Sequence, residues 1–348
     1  GQVAPLHAAR HTAPGALRPQ LGPTRIDGVR MSPVTIPDLP VAADQAWLFP
    51  GQGAQHVGMG KDLHDEIPAA RAVFEAADEA LGFSLSGLCF EGPEDELTRT
   101  VNTQPALVAH GIAALVAAID AGTVTSRPAV VAGHSLGEYA ALIAAGAVSF
   151  EDGIRLVRRR GELMQEACDA EPGTMAAVLG LERGQVEEIC AANGAAVCNE
   201  NAPGNVSIGG TVAAVEASTA AAEEAGASRI VPLAVAGAFH TPLMQSAQDG
   251  MASELANTAF SDPGIPVVSN VTGQNLTSAG ELAGELTSQI TSPVLWVDGV
   301  RAMLAAGVTS FTEFGPGRVL TGALRRTERS AEGRNVATAA DARGEEAE

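Results

Sequence analysis

One serine in this sequence lies in a pattern that can turn its hydroxyl into a nucleophile. Ser135 is the centre of the pentapeptide GHSLG, residues 133–137, which matches the G-x-S-x-G nucleophile elbow. A short apolar run at 129–133 predicts a buried strand before it, and residues 136–145 predict a helix after it, as the elbow requires. A side chain at either glycine of the motif would collide with neighbouring backbone. The pattern therefore predicts nucleophilic catalysis by this serine.

A serine hydroxyl needs a base to lose its proton near neutral pH, and the sequence contains seven histidines. His240 lies in GAFHTPLM, residues 237–244, at the end of a predicted strand. Loops at the carboxyl ends of strands are where ligand sites of α/β proteins gather, so His240 is the predicted base. The other six are interpreted as surface or packing histidines: His7, His11, His56, His64, His110 and His134.

The composition limits the partners of such a site. The chain has 348 residues, 46% of them apolar and 18% charged, with a net charge of −20. This acidic balance argues against a nucleic-acid binder, and it means that an anionic ligand must be met by a local cation. No apolar run reaches the roughly 18 residues of a membrane span, and the N-terminus lacks a secretory pattern. A cytoplasmic protein without membrane contact is expected, and its four cysteines show no metal-ligand spacing.

Alternating strands and helices must position these residues. The alternation predicts an α/β fold with a mostly parallel sheet, and the elbow makes the large domain α/β-hydrolase-like. Strands are predicted at 46–49, 129–133, 266–273 and 312–316. Helices are predicted at 69–81, 105–121 and 136–145.

A second unit interrupts this pattern. Residues 173–236 give the order βαββαβ, which predicts a ferredoxin-like small subdomain inserted into the large α/β catalytic domain of residues 46–172 and 237–327. The cleft between the two is the predicted ligand site. Residues 1–45 are expected to form a flexible leader or linker, and residues 328–348 a flexible tail.

Six segments carry a resemblance to a known family. The chain closely resembles malonyl-CoA:acyl-carrier-protein transacylases, which include the bacterial fatty-acid-synthesis enzyme and the acyltransferase domains of polyketide synthases. The resemblance runs through about residues 46–327 with its motifs in order. The segments are FPGQGAQ (49–55), GHSLGEYAAL (133–142), RLVRRRGELMQ (155–165), NENAPGNVSIGG (199–210), GAFHTPLM (237–244) and FGPGRVLTGALRR (314–326).

The resemblance implies a catalytic Ser–His dyad. Ser135 corresponds to the acylated nucleophile and His240 to its base, whose imidazole is oriented by a backbone carbonyl near Gln289 instead of an acidic side chain. The backbone N–H groups of Gln52 and Leu136 would form the oxyanion hole.

The resemblance also implies how the acyl group is chosen. Arg160 matches the arginine that grips the free carboxylate of a malonyl group, whereas its sequence context alone fits a solvated helix surface equally well. Phe239 and Gln289 would belong to the substrate-binding residues, with Phe239 lining the acyl pocket. The triplet Ala238-Phe239-His240 favours malonyl over methylmalonyl. Trp296 is interpreted as a core-packing residue.

The implied reaction is a ping-pong transfer. A malonyl group passes from malonyl-CoA to the serine and then to the phosphopantetheine thiol of an acyl carrier protein, in fatty-acid or polyketide synthesis, with no metal and no permanently bound cofactor. A monomer is expected unless the chain is part of a megasynthase. Two alternatives stay open: an acyl hydrolase that clears acyl groups from carrier proteins, and a catalytically idle docking domain.

Overall fold

The computed structural model describes residue 34 and residues 36–345. The predicted leader therefore lies mostly outside the described residues. The strands of the described part are β1 (Val41–Phe49), β2 (Arg127–Gly133), β3 (Thr174–Leu179), β4 (Ala196–Ala202), β5 (Asn205–Gly210), β6 (Arg229–Pro232), β7 (Val267–Val268), β8 (Asn275–Leu276), β9 (Ser310–Phe314) and β10 (Glu332–Val336). Its α-helices are α1 (Lys61–Glu66), α2 (Pro68–Leu81), α3 (Leu85–Glu91), α4 (Glu94–Thr98), α5 (Thr100–Asp120), α6 (Gly137–Ala144), α7 (Phe150–Ala170), α8 (Arg183–Asn193), α9 (Val212–Glu224), α10 (Gln245–Ala256), α11 (Ala279–Ser288), α12 (Trp296–Ala305), α13 (Val319–Thr327) and α14 (Ala339–Arg343).

The large sheet has the strand order β10-β9-β1-β2-β7-β8. All neighbours in it are parallel except β7 and β8, which are antiparallel. Side chains of β1 alternate between two apolar clusters, because successive residues of a strand point to opposite faces. Trp47 and Phe49 pack into one cluster, and Ala46 and Leu48 into the other. Both faces of the central strands are therefore covered, as in α/β proteins, and the predicted fold class is confirmed.

One long helix lies at the centre of the larger cluster. Of the described residues, only Thr100–Asp120 form a helix that is long and apolar enough to cross a membrane, and 89% of its most apolar window is buried inside the protein. It packs against α2 and α7. Its apolar character is explained by this central position in the core.

The small sheet is built from the inserted segment. Its order is β4-β5-β3-β6, with every pair antiparallel, and α8 and α9 pack against it. Together with the chain order βαββαβ, this is the ferredoxin-like arrangement that the sequence predicts. An isolated parallel bridge between Asn199 and Val294 joins β4 to the segment before α12. The proposed subdomain limits, residues 173 and 236, enclose all four strands of this sheet.

The prediction of a flexible tail after residue 327 is wrong for the described residues. Strand β10 pairs in parallel with β9, and α14 follows it with a capping box between Thr338 and Asp341. Val336, Ala339 and Ala342 are buried. Large apolar side chains are scarce here, but the small ones pack closely against the core, and this contribution is invisible to a count of large residues.

The predicted leader also ends earlier than expected. Strand β1 begins at Val41, so residues 41–45 belong to the sheet and pair with both β2 and β9. Val34, Ile36 and Leu39 pack against the core before the strand begins. The first half of β1 is mostly exposed, and its pairing with β2 is irregular there, so it lacks the run of large apolar residues by which the strand was recognised.

Candidate active site

The elbow at the end of β2 fits its two glycines tightly. A Cβ atom at Gly133 would lie 1.9 Å from the carbonyl oxygen of Gly137, and one at Gly137 would lie 2.2 Å from the carbonyl oxygen of Phe49. Ser135 between them has a φ of 53°, a left-handed conformation that is costly for a residue with a side chain. Such strain, about 1–3 kcal/mol, persists only where the surrounding structure fixes it, and it marks functional positions.

An asparagine that the sequence analysis did not select fixes this strained turn. The backbone N–H of Ser135 donates to Asn270 Oδ1 at 2.7 Å, and Asn270 Nδ2 donates to the carbonyl oxygen of Gly133 at 2.7 Å. The residue follows β7, the strand next to β2, and is buried. The sequence offered no signal for it, because residue 270 lies inside the strand predicted at 266–273, whereas the observed strand ends at Val268.

Ser135 and His240 form a hydrogen-bonded pair. Ser135 Oγ lies 2.8 Å from His240 Nε2, and His240 Nδ1 lies 2.8 Å from the backbone carbonyl oxygen of Gln289. A carbonyl oxygen can only accept, so Nδ1 carries the ring proton and Nε2 is free to accept the serine hydroxyl. His240 also has a positive φ, 60°. Burial, followed by the nearby Arg160 charge, lowers the pKa of His240 to about 3, which keeps the imidazole neutral at physiological pH.

Arg160 is a buried cation in contact with the serine. Its Nη2 donates to Ser135 Oγ at 3.1 Å and to Gln289 Oε1 at 3.0 Å, and its Nη1 donates to Gln104 Oε1 at 2.7 Å. The side chain is 1% exposed, and burial lowers its pKa. Within the described residues it makes no ion pair, and its Nε has no hydrogen-bond partner. An uncompensated buried cation is costly unless an anionic ligand completes it.

Gln289 connects the histidine, the arginine and the elbow. Its backbone oxygen faces His240, as the resemblance implied, while its side-chain amide accepts from Arg160 through Oε1. Nε2 of the same amide donates to the carbonyl oxygen of Ser135 at 3.0 Å and to Oε2 of the buried Glu138. The resemblance implied a substrate-binding role for Gln289, whereas Gln104 and Glu138 were not among the predicted site residues.

A cavity of about 750 Å³ opens beside this group. It lies between the large domain and the small sheet, and residues of both line it. Met175 and Asn201 are among the contributions of the small sheet. Gln52 and Leu136 lie on its wall, and no hydrogen bond within the described residues uses the backbone N–H of either. Phe239 also lines the cavity, and only 8% of its surface is exposed.

Trp296 and His134, for which packing roles were predicted, pack against each other and also line the cavity. Trp296 is buried in the smaller apolar cluster and its ring lies 5.5 Å from that of His134. Burial lowers the pKa of His134 to about 4, and its Nε2 lies 3.0 Å from Asn201 Oδ1. His110 is buried on α5, away from the cavity. His7 and His11 lie outside the described residues.

The described residues contain no group of three His, Cys, Asp or Glu side chains that could hold a metal ion. The four cysteines are buried and unpaired. Burial raises the pKa of Cys89 to about 12, so this thiol is a poor nucleophile. The reactive group that the geometry favours is therefore the serine hydroxyl.

The α/β fold, the strained elbow serine and its neutral histidine fit the class of enzymes that act on acyl groups through a serine nucleophile. The chain belongs to the acyl transferase family, because the model of the acyl transferase domain matches residues 46–344.

Named relatives agree with this assignment. The chain is 43% identical over 289 residues to the malonyl CoA-acyl carrier protein transacylase of Bacillus subtilis, covering 82% of this chain and 90% of that protein. It matches the crystal structure of an acyl carrier protein S-malonyltransferase from Vibrio cholerae with a TM-score of 0.82 and 41% identity, over 84% of this chain and 97% of that one. A malonyl-transacylase in complex with its type II polyketide synthase acyl-carrier protein matches with a TM-score of 0.82 and 38% identity, over 86% and 97% of the two chains.

Proposed function

We propose that this chain transfers a malonyl group from malonyl-CoA to the phosphopantetheine thiol of an acyl carrier protein, through an ester on Ser135. The relatives are malonyl transacylases by name, and one of them was solved with its acyl-carrier protein. The assignment of the individual residues is supported by the geometry of the cavity.

The observation that carries the proposal is the contact between Arg160 and Ser135. The guanidinium lies 3.1 Å from the nucleophilic oxygen and has no anionic partner in the described part of the chain. A malonyl group carries its carboxylate one methylene beyond the thioester carbonyl, so the carbonyl can reach the serine while the carboxylate meets the guanidinium. A planar guanidinium can hold a carboxylate through two hydrogen bonds. Phe239, at the same cavity, restricts the space for an α-substituent.

The first half-reaction acylates the serine. Ser135 Oγ attacks the thioester carbon while His240 Nε2 takes the hydroxyl proton. The backbone N–H groups of Gln52 and Leu136 stabilise the oxyanion of the tetrahedral intermediate. The carbon–sulfur bond then breaks, and the leaving coenzyme A sulfur takes the proton from His240. The products are a malonyl ester of the enzyme and free coenzyme A.

The second half-reaction transfers the acyl group to the carrier. The phosphopantetheine thiol gives its proton to His240 and attacks the ester carbon, and Ser135 leaves as the alkoxide and recovers the proton. The chemistry needs no resident cofactor, because coenzyme A and phosphopantetheine arrive with the substrates. The malonyl ester must be protected from water, which a site buried this deeply favours.

Surface arginines offer a contact for the acidic carrier. Arg326 lies at the wall of the active-site cavity, and Arg318 and Arg325 line a neighbouring depression of about 410 Å³. All three are exposed, and none forms an ion pair within the described residues. In a chain of net charge −20, these side chains supply local positive charge. We further propose a cytoplasmic enzyme that acts as a monomer unless it is part of a megasynthase, in fatty-acid or polyketide synthesis.

A product analysis tests the proposal and its alternatives. The protein is mixed with malonyl-CoA and a holo acyl carrier protein, and the products are weighed by mass spectrometry. Malonyl carrier and free coenzyme A are expected. Free malonate with unloaded carrier would identify an acyl hydrolase. Absence of any adduct on enzyme or carrier would favour the idle docking domain.

A further inference from the structure

A buried carboxyl group holds the Gln289 side chain from the side opposite to Arg160. Glu138 lies in the first turn of α6, directly after the elbow, and is 0% exposed. Its Oε2 accepts a hydrogen bond from Gln289 Nε2, and its Oε1 has no partner. Because Gln289 Nε2 is thereby fixed as the donor, Oε1 of the amide must face Arg160. Glu138 Oε2 and the carbonyl oxygen of Ser135 are the two acceptors that fix the orientation of this amide.

A second carboxyl group stands beside the first. Glu285 on α11 interacts with Glu138 and is 8% exposed, and its Oε1 accepts from the backbone N–H of Val271 at 3.0 Å. No ion pair of the described residues involves either acid. Burial, reinforced by the charge of Glu285, raises the pKa of Glu138 well above its usual range, which favours the neutral form of Glu138.

We propose that Glu138 is a positioning residue whose carboxyl oxygen, acting as a hydrogen-bond acceptor, holds the Gln289 side chain in the orientation that Arg160 needs. The inference rests on the proposed function, because the consequence concerns the choice of a carboxylated acyl group. Glu138 Oε2 accepts the hydrogen bond from Gln289 Nε2, and this role needs an acceptor oxygen but no negative charge.

The neutral state matters for Arg160. An ionised Glu138 would place a negative charge close enough to raise the pKa of Arg160, and it would compete with a substrate carboxylate for that cation. The neutral acid orients the amide without compensating the guanidinium. The site thus keeps a cation whose counter-ion is supplied by the substrate.

Three substitutions separate these roles. Glu138→Gln keeps a carbonyl oxygen that can accept from Gln289 Nε2 but removes any possibility of a negative charge. Glu138→Ala removes the acceptor, and Glu138→Asp withdraws the carboxyl group by one methylene. Glu313→Ala is the matched control, because Glu313 is another fully buried acid, bonded to the start of α13. For each variant, the rate of enzyme acylation is measured with malonyl-CoA and with acetyl-CoA, together with Tm.

The malonyl-to-acetyl rate ratio is the decisive quantity. Glu138→Gln is expected to keep the ratio within about threefold, and Glu138→Ala and Glu138→Asp to lower it by roughly tenfold or more, the effect of losing one hydrogen bond to a charged network. Glu313→Ala is expected to lower Tm and leave the ratio unchanged. If Glu138→Ala does not fold, the comparison of Glu138→Asp with Glu138→Gln decides.

Two results would overturn the inference. A ratio that changes more than tenfold in Glu138→Gln would mean that the ionised acid is required, and an unchanged ratio in Glu138→Asp and Glu138→Ala would mean that the residue does not position the site. Failure of the unmodified protein to accept malonyl from malonyl-CoA is a different result, because it would contradict the proposed function itself.

Discussion

His240 Nδ1 lies 2.8 Å from the backbone carbonyl oxygen of Gln289, where a catalytic triad would have a carboxylate. A neutral carbonyl orients the ring and selects its tautomer, but it stabilises a protonated imidazole less than a carboxylate would. Burial and the Arg160 charge lower the pKa of His240 to about 3, and the hydrogen bond to the Gln289 carbonyl, which raises it, offsets them only in part. His240 is therefore an unprotonated base throughout the physiological pH range.

The first prediction concerns the pH dependence of acylation. Because the free enzyme's His240 stays neutral well below its ordinary pKa of about 6.5, kcat/KM for the acylation step is expected to be flat between about pH 5 and 8. Stopped-flow acylation with malonyl-CoA across that range measures it. An inflection near pH 6.5 would show an ordinary, solvated histidine.

A second prediction isolates the carboxylate-binding role of Arg160. Arg160→Ala is expected to lower kcat/KM for malonyl-CoA by roughly 30-fold or more, since losing one partner of a buried charged pair costs about 2–5 kcal/mol. The rate with acetyl-CoA, which has no carboxylate, should change far less. Arg155→Ala is the matched control: Arg155 is on the same helix but exposed, and it pairs with Asp152. Equal losses with both donors would refute the assigned role.

The buried histidines predict acid instability. Burial lowers the pKa of His110 and His134 to about 4 and that of His240 to about 3. Between these values and the unfolded pKa of about 6.5, the unfolded chain binds protons that the folded protein cannot. The stability contributed by each neutral histidine is thus complete above about pH 6.5 and is lost as pH falls toward the folded pKa.

His110→Gln tests this at a position outside the cavity. Removing one of the three titrations is expected to reduce the pH slope of the unfolding free energy by about 1.4 kcal/mol per pH unit between pH 6 and 4.5, whatever its effect on stability at pH 7. Urea unfolding at several pH values gives the slope. A slope equal to that of the unmodified protein would mean that His110 is protonated in the folded state.

Charge reversal at Arg318, Arg325 and Arg326 tests the carrier contact. The triple Arg→Glu variant is expected to slow malonyl transfer to the carrier by tenfold or more, because removing electrostatic steering lowers association rates by about that factor. The effect should be strongest at low salt, where charges are screened least. Enzyme acylation by malonyl-CoA should change less. Equal effects on the two half-reactions would remove the argument for a carrier surface.

Local rules account for the part of the site that the sequence could predict. The two elbow glycines are demanded by contacts of the backbone with itself, and these follow from the motif and its flanking strand and helix. The ferredoxin-like order follows from the succession of predicted elements. These features need no knowledge of distant residues.

Other features depend on contacts between distant segments. Asn270 reaches the elbow from 135 residues away, and Glu138 acts through Gln289, 151 residues along the chain. Nothing in their own sequence context distinguishes them from ordinary polar residues. Strand β10 was missed for a similar reason, because its order comes from pairing with β9 and from small buried side chains.

The most direct measurement of the central claim is the intact mass of the protein after incubation with malonyl-CoA. The unmodified protein should gain the mass of one malonyl group, located on Ser135 by peptide mapping, and a Ser135→Ala variant of unchanged Tm should gain none. A malonyl adduct on the Ser135→Ala variant, or an adduct mapped to another residue of the unmodified protein, would contradict the account.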